Sequence, residues 1–410
     1  MKKIAIIGGG PAGLIAAITA ADSNSDVQIT IFEKNEKIGR KLLITGKGRC
    51  NLTNNCDIDT LLANIPKNPR FLYSAFNALT PSDLMRFFEK AGVPLKTERG
   101  NRVFPVSDKA VDIVDALFRT AKQKNIKIEN KAVKELLFEG ESVKGVLLEN
   151  GEEFLADSIL IATGGASYSL TGSTGDGYRF AEKTGHTVTE LKPSLIPLVC
   201  HEGFCSHLSG LSLKNVTLSV FESGKKKPIF KEMGEMLFTH FGISGPLVLS
   251  ASAYIRHLDK KEYVAYIDLK PALSIEQLDN RILRDFDEQK NKDFQNSLDK
   301  LLPKSMISVI VKLSGIDANT KVNQISREKR RHLAELLKAL PLHITGTRPI
   351  EEAIITSGGV SVKDINPATM ESKIIKGLFF AGEVIDVDAF TGGFNLQIAF
   401  STGYLAGKNM

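Results

Sequence analysis

Between Lys3 and Glu33 the chain spells out a strand, a glycine turn, a helix and a second strand, and few folds accept that order at that spacing. Lys3-Ile4-Ala5-Ile6-Ile7 is short, apolar and β-branched and stops at Gly8, as a strand covered on both faces of a parallel sheet does. Gly8, Gly10 and Gly13 then complete G-x-G-x-x-G. The first glycine permits the tight turn, the second lets backbone approach a pyrophosphate, and the third lets a helix over Pro11 to Ala21 lie close on the strand. Pro11 and Ala12 open that helix, and proline suits a first helical turn. Its unpaired N–H groups and positive dipole end point at the bound phosphates. Val27 to Phe32 reads as the second strand, closed by Glu33. A carboxylate there, about 20 residues past the glycines, accepts both hydroxyls of an adenosine ribose and disfavours a 2′-phosphate, which selects FAD or NAD over NADP.

A chain of 410 residues exceeds one simple core and divides into two or three domains. No apolar run approaches the roughly 18 residues that span a bilayer, and Met-Lys-Lys-Ile leads straight into the first strand without a signal-peptide pattern. A cytoplasmic protein with no membrane partner is expected. Cys50, Cys56, Cys200 and Cys205 match neither a C-x-x-C redox pair nor a common zinc spacing, so reduced thiols and no metal are expected, even with His201 and His207 near the second pair. The net charge of +6 is compatible with nucleic acid, yet basic residues are spread along the chain. Lys225-Lys226-Lys227 alone is concentrated, and a solvated hairpin tip accounts for it, so a nucleic-acid partner is not expected.

The stretch Lys34 to Asn54 is too polar and glycine-rich for core. Lys34 joins the candidate cofactor residues; Arg40 and Lys41 can pair with a pyrophosphate, and Gly46 and Gly48, with Arg49, Cys50 and Asn51, let backbone pass a flat ring system. Pro81-Ser82-Asp83 opens a helix with Leu84, Phe87 and Phe88 on one face. Arg99 to Pro105 reads as a hairpin carrying Arg102, which serves either a carboxylate substrate or a surface pair, and Ser107 as the cap of a helix to Lys124. Short strands follow from Ile126, the last of them ending in Ala162-Thr163-Gly164-Gly165, open backbone at a carboxyl strand end where ligands of doubly wound sheets sit. No second G-x-G-x-x-G follows a strand, so a dedicated nicotinamide domain is not expected.

From about Leu191 the pattern becomes that of a small β domain, then from Ser274 that of amphipathic helices. Gly234 to Pro246 reads as a dense turn bearing His240, a candidate general acid, although a histidine packed into structure is commoner. Arg348 is a further candidate for an acidic substrate. The expected order is 1–190 as the first part of a cofactor domain, 191–272 as a β-rich insert, 273–342 as a helical insert and 343–410 as the second part. The second strong signal lies in this last part. A buried strand meets Gly382-Glu383, and Gly392-Gly393-Phe394-Asn395-Leu396 starts a helix whose N–H groups can face the O2/N1 edge of a flavin and steady its reduced, negative form. Glu383 is expected on ribityl or ribose-side groups, with Asp386 and Asp388 positioning loops.

Together, Gly8 to Gly13, Gly39-Arg40-Lys41, Thr45 to Asn51, Phe238 to Pro246, Ala381-Gly382-Glu383 and Thr391 to Asn395 resemble the bacterial flavoproteins called aminoacetone oxidase or BaiN-like NAD(P)/FAD-dependent oxidoreductases, over nearly the whole chain. The resemblance implies an α/β fold: a discontinuous Rossmann-type FAD-binding domain with an inserted β-rich plus α-helical domain. It also implies that the strand backbone near Val133 lies against adenine. Ala162 to Gly165 and Thr174 to Gly177 also resemble the fumarate-reductase flavoprotein group, from which the chain departs by lacking a histidine in the early glycine loops where a covalent flavin link would sit, so the resemblance implies noncovalent FAD. NAD(P)H is expected as a transient co-substrate. The expected function is hydride transfer from NAD(P)H or an organic donor to a small or flat organic acceptor, or to oxygen. Two alternatives stand beside it: a flavin-dependent RNA-modifying enzyme, and a redox sensor with Cys50 as its thiol. Substrate and oligomeric state stay open.

Overall fold

The computed structural model describes residues 1–255 and 257–410. It divides into two compact units, Met1–Ser194 with Pro349–Met410, and Leu195–Arg348.

In the first unit the apolar strand Lys2–Ile7 lies at the centre of a five-stranded parallel sheet. Val27–Phe32 and then Lys127–Glu129 follow on one side, Ser158–Ile161 and then Leu378–Phe380 on the other. The chain's last strand thus pairs two places from its first. The helix Pro11–Ser23 is buried from Ala12 to Ala20 because both of its faces are covered. One lies on the sheet and the other on the C-terminal helix Phe394–Asn409. Small residues make this contact. A Cβ at Gly403 would stand 2.3 Å from the Ala12 carbonyl oxygen, and one at Gly407 2.4 Å from that of Ala16. The pairing of 403 with 12 and 407 with 16 also makes the two helices parallel, so their N-terminal ends face the same way.

The second unit is a closed six-stranded antiparallel barrel in the order Leu198–Cys200, Gly242–Ser244, Phe230–Thr239, Ser212–Glu222, Tyr263–Asp268, Leu340–Thr347. The helices Ile275–Asp287, Lys304–Ser314 and Arg327–Lys338 share one hydrophobic core with it. Three local expectations are corrected. Gly234 to Thr239 is strand, not turn. The chain does not return to the first unit at Leu342: Leu340, Leu342 and Ile344 point inward from the barrel's last strand with the period of two that β-structure requires. Ser107 does not cap the next helix, which spans Ala110–Gln123 with Lys109 at its N-cap; the Ser107 hydroxyl instead donates to Asp112. Among the described residues no helix is long and apolar enough to cross a membrane.

Candidate functional site

The candidate site is built on the first unit, where Gly8 leaves its strand with φ 110°. A Cβ there would stand 2.4 Å from the Ala162 carbonyl oxygen, and one at Gly13 2.1 Å from that of Gly8, so only glycine brings turn, strand and helix this close. At Gly10 a Cβ would meet nothing within 4 Å. That open side borders the start of the Pro11–Ser23 helix, which no side chain caps, so its first N–H groups remain available to an anion. The Glu33 carboxylate is fixed beside this turn: Oε2 accepts the Gly9 N–H at 2.9 Å, and Oε1 accepts the Asn35 N–H at 2.9 Å and its side-chain amide at 2.7 Å.

The loop that follows is rich in left-handed backbone, with φ of 57° at Gly46, 59° at Lys47, 83° at Gly48 and 58° at Cys50. Arg49 pins it to the Leu95–Glu98 and Arg102–Pro105 hairpin. Its guanidinium donates to Asp108 at 2.6 and 2.8 Å and to Glu98 at 2.5 Å, and lies 4.2 Å over the Phe104 ring. The hydrogen bonds to Glu98 and Asp108 raise the Arg49 pKa; Arg49 holds the Glu98 carboxyl below its ordinary range, and Lys96 followed by Arg49 does the same to Asp108. Cys50 is fully buried, and burial pushes its thiol up to about 12, against the smaller lowering effect of Thr45. A protonated, enclosed thiol is a poor redox responder, so the sensor alternative loses the residue that motivated it.

The C-terminal turn is clamped onto this loop. With its amide oriented to satisfy both neighbours, Asn51 accepts the Gly393 N–H at 3.0 Å and donates to the Thr53 carbonyl at 3.2 Å. Asn54 donates to the Gly392 carbonyl at 3.1 Å, and a Cβ on Gly393, whose φ is 98°, would stand 2.4 Å from the Thr53 carbonyl. Phe394 is buried, Leu396 half-buried, and Asn395 closes the turn by bonding both polar groups of the Ala389 backbone. Gln397, wholly buried, accepts from Thr53 at 2.5 Å and donates to the Leu79 carbonyl at 2.9 Å.

Between the two ends lies a network with no counterpart in the sequence reading. Lys41 Nζ donates to Glu383 Oε2 at 2.6 Å and to Ser167 Oγ at 2.8 Å. Glu383 Oε1 accepts the Thr356 N–H at 2.8 Å and the Ser167 hydroxyl at 3.1 Å. A Cβ on Gly165 would come within 2.8 Å of that same oxygen, which explains the glycine. Lys41 thus spends its charge on Glu383, Arg40 donates to Asn35 at 2.9 Å, and Lys34 pairs with Asp176 at 2.5 Å. Gly164 takes φ 74° and Val133 begins the Val133–Glu139 strand. Thr163 Oγ1 is buried with no hydrogen-bond partner among the described residues. Asp386 is held by Lys67 at 2.6 Å, and Asp388 by Ser194 and Ser357.

The three candidate catalytic residues are distributed over both units. Arg102 is exposed in the first, donating to the Arg99 carbonyl. His240 and Arg348 belong to the second and share Phe241: the His240 ring lies 4.9 Å from it edge to face, and the Arg348 guanidinium 4.9 Å over it. The thiols Cys50, Cys56, Cys200 and Cys205 are free, and no group of three or more His, Cys, Asp or Glu is gathered as a metal site among the described residues.

The residues present fit a flavin dinucleotide: an open cradle at Gly10, a carboxylate fixed beside the glycine turn, an orphan hydroxyl at Thr163 and two parallel helix N-termini. Fold and site together define a Rossmann-type, FAD-dependent oxidoreductase. More narrowly, the chain belongs to the family described as HI0933-like protein Rossmann domain, which it matches over residues 2–409. It is 32% identical over 411 residues to a 3-dehydro-bile acid delta(4,6)-reductase of Clostridium scindens, covering 100% of this chain and 98% of that one. It is 33% identical to a ribosomal RNA dihydrouridine synthase of Haemophilus influenzae, covering 97% and 96%. A 3-ketosteroid delta1-dehydrogenase of Sterolibacterium denitrificans, solved with 1,4-androstadiene-3,17-dione, shares the fold at a TM-score of 0.55 and 12% identity, covering 99% of both chains.

Proposed function

We propose that this protein saturates a carbon–carbon double bond conjugated to a carbonyl in a flat ring acceptor, with noncovalent FAD as hydride carrier and NAD(P)H as a transient donor. One observation carries this reading. Two helices packed backbone to backbone aim both N-termini at one end of the sheet, and Phe394 begins nine residues ahead of Gly403, the partner of Ala12. The first helix begins one residue ahead of Ala12, so at 1.5 Å per residue the C-terminal helix starts about 12 Å farther out, and separate helix ends can serve the pyrophosphate and the ring system. The names of two full-length relatives support the reaction class, since delta(4,6)-reductase and dihydrouridine synthase both denote saturation of a ring double bond.

When bound, FAD supplies the hydride chemistry. The N–H groups at the start of Pro11–Ser23, freed by Gly8 and Gly10, hold pyrophosphate, and Glu33 takes the ribose hydroxyls. Gly46, Gly48 and Asn51 let backbone lie along the ring system, and Arg49 keeps that loop in place. The Lys41–Glu383 pair closes the ribityl side, and the N–H groups of Phe394 and Asn395, at the start of the last helix, favour negative charge at the ring's O2/N1 edge. His240 and Arg348 around Phe241 are the candidate groups for orienting the acceptor and giving it a proton, with Arg102 a third.

A second reading, favoured by the Haemophilus influenzae relative, places the acceptor ring within RNA as uracil. Anaerobic mixing of the purified yellow protein with NADH or NADPH tests the proposal. Bleaching of the flavin, followed by recovery of colour with a steroid enone or with uridine-containing RNA, is expected. Failure of both nicotinamides, or recovery with oxygen alone, removes it.

A further inference from the structure

Although basic residues occur along the whole chain, their excess does not. Residues 195–348 contain 23 Lys and Arg against 17 Asp and Glu, whereas the other unit contains 30 of each. The entire +6 therefore belongs to the barrel unit, and so do six of the seven histidines.

Six of that unit's sixteen lysines lie on two loops at one end of the barrel and on the strand that leaves one of them. The turn between Ser212–Glu222 and Phe230–Thr239 carries Lys225, Lys226 and Lys227, all exposed. The Ser223 N–H bonds to the Glu262 carbonyl at 2.8 Å and so ties this turn to the loop bearing Lys260 and Lys261, also exposed. Glu222 gathers one lysine from each loop, Lys225 at 2.9 Å and Lys261 at 3.0 Å. Lys226, Lys227 and Lys231 have no acidic partner among the described residues.

The strand register sets what lies beneath them. Val216, Leu218 and Val220 point into the barrel, so Ser219 and Phe221 point out. Across the ladder, Lys231 and Tyr266 stand opposite Ser219 on either side, and Val264 opposite Phe221. The Phe221 and Tyr266 rings meet at 5.7 Å and 81°, edge to face, with Tyr266 exposed and Phe221 half-buried. Asp268 on the same face is neutralised by Lys338 at 2.6 Å. Glu232, Asp259 and Glu262 are the acids that remain nearby.

We propose that this outer face, with Lys225, Lys226, Lys227, Lys231, Lys260 and Lys261 around Phe221 and Tyr266, docks single-stranded RNA, the lysines taking backbone phosphates and the rings taking bases. Lysines that track phosphates around aromatic stacking platforms are the recurrent means of holding a nucleic-acid strand. A bilayer surface suits the face less well, because Thr217, Ser219 and Lys231 interrupt its apolar side chains. The choice of RNA rests on the second reading above. The docking itself does not, and its test measures binding without turnover, so the two fail separately.

The test is a fluorescence-polarisation titration of the flavin-loaded full-length protein with a labelled uridine-rich oligoribonucleotide at several salt concentrations. Replacing Lys225, Lys226 and Lys227 by Glu is expected to weaken binding by about tenfold or more and to lower the log–log salt slope by about 2. Phe221→Ser with Tyr266→Ser is expected to weaken it by about fivefold with the slope unchanged. Lys90, Lys122 and Lys127 replaced by Glu in the other unit serve as the equal-charge control, and an unchanged flavin spectrum certifies folding of each variant. Absence of RNA binding, equal losses in the two lysine triples, or a preference for phosphatidylserine vesicles over RNA would overturn the proposal.

Discussion

Three donors converge on the Glu383 carboxylate, and two of them, Lys41 and Ser167, come from segments far away in sequence. Glu383→Gln keeps the shape, removes the charge and leaves the Lys41 ammonium, only 21% exposed, without its counter-ion. A roughly tenfold loss of FAD affinity, about 1.4 kcal/mol, is expected from flavin-fluorescence titration, and unchanged binding would deny the pair a role at the site. Arg49→Ala removes two solvent-screened ion pairs and a ring contact that hold the loop, and is expected to show as faster flavin loss on dilution. At Cys50 the folded thiol titrates near 12 instead of the ordinary 9.0. A raised pKa favours the protonated form in the fold, so this contribution to stability is whole below about 9 and is lost as pH climbs toward 12. Native protein at neutral pH should accordingly resist alkylation at Cys50 until unfolded, as peptide mass spectrometry would register. Of this residue-level detail the sequence displayed the identities only. Lys41 and Glu383 stand 342 positions apart, and no local pattern announces such a pair.

The contact between the first and last helices inverts an ordinary rule. Glycine inside a helix usually costs about 1 kcal/mol relative to alanine. At Gly403, however, the added Cβ would lie 2.3 Å from the Ala12 carbonyl and 2.7 Å from the Ile15 side chain. Overpacking of this kind costs about 1–3 kcal/mol or more, because backbone on both sides must move. Gly403→Ala should therefore lower the midpoint of thermal unfolding; a rise would show that the helices do not pack this closely. Other elements were legible for the opposite reason, that their causes are local. The Pro81–Lys90 helix starts where Thr80 and Asp83 form a capping box, and the first strand ends where Gly8 must turn. Leu340–Thr347 had its period-two signal as well, but it follows a helical stretch and closes a barrel whose other strands lie far upstream.

At the scale of the molecule, both cuts in the chain fall where its ends already meet. Leu198 pairs with Thr347 inside the barrel, and Lys192–Ser194 pairs with Ile355–Ser357 in the other unit. Each unit also has its own hydrophobic core. Excised residues 195–348 are thus expected to unfold cooperatively by circular dichroism without flavin, and a chain joining Ser194 to Pro349 through a short linker should still purify yellow. A colourless linker protein would place part of the cofactor's hold in the barrel unit. By itself the sequence determined the glycine turn, the acid that closes the second strand and the glycine-led final helix, since steric demands on glycine and the dipole of a helix end act within a few residues. Only the tertiary structure decided that the first and last helices cross backbone to backbone, that Lys41 answers Glu383, and that two lysine-bearing loops distant in sequence meet at one end of the barrel. Each of those depends on which distant segments share space, a matter settled by burying two separate cores.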